Sequence, residues 1–161
     1  MPENSPIMAG TRIGHVHLKV ADLDRALGFY CGVLRFDTVF PAKLSEIAIL
    51  VTARHWTSHY EWYAHKRLAL KGGMDPKIIE DIRHRRTPRF DDPKGQMIYD
   101  VSKSLHEGHG VTKALYDEAV KMLGERGLVE IIGLCGYYTM VSMTLNTFEF
   151  DLPEGEVSEL A

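Results

Sequence analysis

The 161-residue chain has room for one domain with a real core, and 45% hydrophobic against 25% charged residues excludes a disordered polymer. A formal net charge of −3 gives no electrostatic footprint for nucleic acid or for an anionic membrane surface. Two cysteines far apart, Cys31 and Cys135, make neither a disulfide framework nor a CxxC or zinc-ligand spacing.

The start, Met1-Pro-Glu-Asn-Ser-Pro6, is polar and unlike a secretory signal, and no apolar run reads as long enough to span a membrane. The expectation is a cytoplasmic protein with neither nucleic-acid nor membrane partners. Pro2, Pro6 and Gly10 break the first ten residues. Thr11 to Val20 then alternates, with Ile13, His15, His17 and Lys19 on one face and Arg12, Val16, Leu18 and Val20 on the other. That period predicts a short N-terminal β-strand. Asp22 caps a helix whose apolar residues Leu23, Ala26, Leu27, Tyr30, Cys31 and Leu34 recur at helical spacing. This strand and helix, residues 11–34, resemble the opening of the vicinal oxygen chelate (glyoxalase-like) family. In that family a histidine at the position of His15 often holds a divalent metal. The later strands carrying the other ligands have no counterpart here, so His15 and His17 read as ordinary strand residues and no metal is expected.

From Arg35 the pattern is helical. Pro41 opens a helix through about Trp56 that is apolar on every side, as a central buried helix would be. Ser58-His-Tyr-Glu61 fits a capping box, starting a second helix that ends at Gly72-Gly73. Asp75-Pro76 starts a short helix with Ile78, Ile79 and Ile82 inward, ending in the basic run Arg83 to Arg86. Asp92-Pro93 opens another, broken at Gly108 to Gly110, and Thr112 caps the next. Gly124 and Gly127 punctuate before a long apolar helix from Leu128 to about Phe148; Pro153 and an acidic tail follow. Small residues in that helix (Gly133, Gly136, Ser142) permit close contact within the domain or across a subunit boundary.

Chemistry concentrates between residues 46 and 65. Glu46, Ser58, Glu61 and His65 give the spacing E-x11-S-x2-E-x3-H, and Glu61 and His65, four apart, share a helix face. A carboxylate beside an imidazole fixes its tautomer and can bring its pKa toward neutrality. A buried Glu46 needs a donor, and His65 is the natural one. Such a Glu–His–Glu cluster can shuttle a proton at neutral pH. Glu61 can equally serve only to close the capping box. A metal site from His55 and His59 with His65 or Glu61 requires a helix unbroken through Thr57-Ser58.

Lys43 to Trp56, Tyr60 to His65, Leu123 to Tyr138 and Met143 to Glu149 together resemble the carboxymuconolactone decarboxylase family, which shares the all-helical alkylhydroperoxidase D fold. The resemblance implies an all-α bundle over residues 36–152, preceded by the segment 1–35 packed on it and followed by the acidic tail 153–161. It puts Glu46 at the proton-relay glutamate and His65 at the histidine, with Ser58 and Glu61 where the peroxidase branch has its CxxC pair. Thiol peroxidase chemistry therefore lacks its nucleophile. The decarboxylase branch keeps only the glutamate and histidine. It implies a cofactor-independent carboxy-lyase acting on an unsaturated carboxylated lactone or a related small acid, with His65, Glu46 and Glu61 catalytic. Arg54, His55, Ser58, Tyr60 and Trp62 would then line the substrate, in a homotrimer or homohexamer. The competing expectation is a non-catalytic helical oligomer that has kept the fold.

Overall fold

In a computed structural model the structure describes residues 40–160, which belong to the unit Thr38–Ala161. The strand expected at 11–20, the helix from Asp22 and the residue His15 lie outside the described residues. Within them the architecture is all-α, with five helices and no strand. The helices are α1 (Ala42–Trp56), α2 (His59–Lys71), α3 (Pro76–Arg83), α4 (Pro93–Gly108) and α5 (Lys113–Thr147).

α1 is the axis of the bundle. Every residue from Glu46 to Ala53 is buried, and the helix packs against each of the other four. That follows from a segment that is apolar all round and therefore has no face to offer solvent. It ends at Thr57, which takes the left-handed conformation at φ 49° while its N–H and that of Ser58 close back onto α1 carbonyls. Only Thr57 and Ser58 separate α1 from α2, so the two helices must fold sharply against one another.

Proline and aspartate set two of the helix starts. Asp75 and Asp92 each accept the N–H two residues on, from Lys77 and Lys94, with proline following at the first helical position. Thr112 caps α5 through Leu115 N–H. Inside α5 the helical geometry breaks at Gly124, where φ is 74° and ψ 164°, a conformation that side chains rarely tolerate. Gly127 is helical and does a different job. A Cβ there would meet Leu123 Cβ at 2.9 Å and Phe40 Cζ at 3.0 Å, so the missing side chain lets Phe40 lie against the helix.

Two expectations need correction. The capping box does not form: Ser58 caps α2 without a side-chain hydrogen bond, its Oγ is buried without a partner, and Glu61 turns inward instead. And α5 is, by length and composition, long and apolar enough to cross a membrane. Its glycines, serine and threonines interrupt the run to the eye but carry no charge to lower its hydropathy. In place it has two sides. Leu128, Ile131, Cys135 and Ser142 turn into the bundle, while Val129, Ile132, Tyr137, Met140 and Met143 are exposed.

The acidic segment after Pro153 lies on α2. Trp62 Nε1 and Lys66 Nζ donate to Glu159 at 3.2 and 2.6 Å, and Arg83 Nη1 donates to the Glu159 carbonyl at 3.1 Å. Leu160 is 5% exposed and joins the core.

Candidate functional site

α1, α2 and α5 bring one cluster of ionisable groups together. His65 Nδ1 and Glu46 Oε2 are 2.8 Å apart, with the side chains 15% and 10% exposed. A carboxylate accepts, so Nδ1 carries the hydrogen and Nε2 is the nitrogen left for proton transfer. The Tyr138 ring stands edge-on to the imidazole at 4.8 Å. One helical turn away on each side, Ser142 Oγ donates to Glu61 Oε2 at 3.0 Å. The register explains the pairing. Glu61 and His65 are four apart on α2, Ser142 and Tyr138 are four apart on α5, and Glu61 meets Ser142 where His65 meets Tyr138.

Burial controls the charges here. Glu61 is 2% exposed, and its Oε1 has no hydrogen-bond partner among the described residues. Desolvation pushes its carboxyl up to about 8, against a smaller opposing effect of the Ser142 hydroxyl. Glu61 is therefore a neutral acid at pH 7. Burial first, and then the negative charge of Glu46, holds the Tyr138 phenol far above its ordinary range. Tyr138 stays a hydroxyl donor at any physiological pH.

The other residues expected at this site are placed elsewhere. Arg54 and His55 follow Glu46 by eight and nine residues on α1. His55 is thus half a turn round the helix and about 13 Å along it. Arg54 Nε donates to the Arg83 carbonyl at 2.6 Å, and His55 stacks on His106 with ring centroids 4.8 Å apart. Tyr60 meets Phe150 edge-on, and Trp62 faces Glu159. His59 bonds Ser158 through Nδ1. His55, His59 and His65 thus point to three different surroundings, and among the described residues no group of three or more His, Cys, Asp or Glu is placed to hold a metal ion. Cys135 is buried between α1 and α4, its thiol pushed up by burial.

Sequence reasoning missed Tyr138 and Ser142, which it took for packing residues, and His106. The shared four-residue step of the pairs on α2 and α5 was the available signal for the first two. No protein-family model matches the chain, and neither a characterised protein nor a solved structure does so.

Proposed function

We propose that the protein is a cofactor-independent carboxy-lyase of the carboxymuconolactone decarboxylase type, built on an alkylhydroperoxidase D-like bundle. The observation that carries this reading is the Glu46–His65 hydrogen bond at 2.8 Å, between side chains only 15% and 10% exposed. It gives one imidazole a fixed tautomer and leaves Nε2 as the nitrogen for proton transfer.

In this reading the substrate is an unsaturated small acid whose carboxylate leaves as CO2. The electron pair delocalises into a conjugated carbonyl, giving a dienolate, and carbon is then protonated. His65 delivers that proton through Nε2, while Glu46 holds the ring in its tautomer and orientation. Tyr138, always protonated, is the hydroxyl donor suited to the developing oxyanion. Glu61, neutral at pH 7, is the reserve from which the pair is reprotonated. Arg54 and His55 lie about 12–14 Å along α1 from Glu46, and hold other partners there.

The exposed apolar row on α5 supports assembly of the protein with copies of itself, as the family resemblance implies. It equally favours the second reading, a helical oligomer without catalysis. The discriminating experiment is turnover of 4-carboxymuconolactone followed by ultraviolet absorbance. Turnover by wild type that falls at least about 100-fold in His65→Ala supports the lyase reading. A folded wild type inert toward this lactone and related small acids supports the second.

A further inference from the structure

On the side of α1 away from Glu46, a cavity of about 60 Å³ opens between the end of α1, the turn after α3 and the last turns of α4. It has room for a few water molecules or one small organic ion. Its polar lining is strongly one-sided: Arg54, Arg85 and Lys103 against the single carboxylate of Glu107, with His55 and His106 between them. Neither Arg85 nor Lys103 is ion-paired among the described residues; Arg85 Nη2 reaches only the Arg54 carbonyl, at 3.2 Å. The nearby Asp81 is engaged elsewhere, by Lys77 at 2.6 Å and Arg86 at 2.9 Å. Crowded cations of this kind repel one another. Burial and then the charges of Arg85 and Arg83 push the Arg54 guanidinium down.

The two histidines add a second feature. Their rings are stacked, 21° from parallel. Thr52 Oγ1 donates its hydrogen to the Ala48 carbonyl at 2.8 Å, so it can only accept from His106 Nε2, which lies 2.9 Å away. His106 therefore carries its hydrogen on Nε2, leaving Nδ1 as a vacant base beside a ring it cannot share a second charge with. Burial, reinforced by His55, holds His106 down at about 4. His55 is also depressed, by burial and by Arg85, with Glu107 opposing and His109 adding to it. Both rings are neutral at pH 7, so the cavity lacks two of the positive charges it could hold.

We propose that this cavity binds a small monoanion, a short-chain carboxylate being the class that fits, and that binding draws one proton onto the His55–His106 pair. The anion bridges Arg85 and Lys103, and its charge stabilises one imidazolium where the cations alone oppose it. Glu107 and Tyr99, the remaining polar groups of the lining, stay as they are. The site is independent of the reaction proposed at His65, so its test needs no turnover.

The test is a titration of the full-length protein with sodium acetate at fixed ionic strength, read by the histidine Cε1–H resonances in NMR. Saturable shifts of His55 and His106 are expected, with affinity rising toward tenfold for each unit of pH decrease between pH 7 and 5. Lys103→Met and Arg85→Met, both at accessible positions, should each weaken binding at least about fivefold while leaving the circular dichroism unchanged. The double variant His55→Gln/His106→Gln should bind acetate with a much reduced dependence on pH. No saturable shift up to about 100 mM acetate at pH 5.5 would overturn the proposal. So would an affinity that is equal at pH 5.5 and 7.5, or one that neither Lys103→Met nor Arg85→Met alters.

Discussion

Replacing Glu61 with glutamine removes the titration of a carboxyl group that the fold holds neutral. In the folded protein this group keeps its proton until about pH 8, whereas in the unfolded chain it loses it near 4.5. Between those values the folded state binds more protons, so stability is greatest below pH 4.5, declines as pH rises through the window and levels off above 8. The shift from 4.5 to about 8 sets a ceiling of about 5 kcal/mol on that loss. Water reaching the carboxylate as it ionises brings the realised value to about 2–4 kcal/mol. Glu61→Gln cannot ionise. At pH 5 it should be about 1 kcal/mol less stable than wild type, because the amide brings a buried NH2 with no acceptor to the place of Oε1. At pH 9 it should be the more stable protein by about 1–3 kcal/mol. Urea unfolding of both proteins at intervals from pH 4.5 to 9 gives the difference curve, in which the other titrations cancel. A flat difference, or one that turns against the variant as pH rises, would refute the burial argument.

Further outcomes follow from other parts of the bundle. His106 has the opposite sign: depressed from 6.5 to about 4, it makes wild-type stability rise between those pH values by at most about 3 kcal/mol, and His106→Gln should flatten that limb in the same urea series. Leu160→Ala should cost about 2 kcal/mol in urea unfolding, because the residue is buried in the core although it lies one position from the chain end. Gly127→Ala should lower stability by about 1–3 kcal/mol despite alanine's better helix propensity, since its Cβ would overlap Phe40 and Leu123. Gly124→Ala should cost about 1–3 kcal/mol for a different reason, the positive φ, and its crystal structure should show Phe40 unmoved.

The helices were legible where one physical rule dominated. α1 is apolar all round and can only be central; Asp75-Pro76 and Asp92-Pro93 combine an acceptor side chain with a residue that needs no N–H donor. The same is true of the break at Gly124, which needs a backbone that other residues avoid. The S-x-x-E pattern failed because it is a local rule in competition with packing. Ser142 on α5 offers Glu61 a hydroxyl, and the carboxyl sinks toward it rather than reaching back to Ser58. The Glu46–His65 contact could be anticipated from a buried carboxylate needing a donor, but Tyr138 and Ser142 lie more than 70 residues on, and only tertiary register brings them in. The stack of His55 on His106 was hidden for the same reason. The docking of Glu159 and Leu160 was masked by their acidic surroundings, since a charged run ordinarily stays in solvent.

The central claim is that the Glu46–His65 pair performs acid–base catalysis on a carboxylated lactone. Its most direct test is the pH profile of kcat/KM for 4-carboxymuconolactone, measured on wild type, His65→Ala and Glu46→Gln. The account predicts measurable wild-type turnover, a loss of at least about 100-fold in His65→Ala, and a smaller loss in Glu46→Gln, which no longer fixes the imidazole in one tautomer and orientation. Wild-type turnover that His65→Ala leaves intact would contradict it.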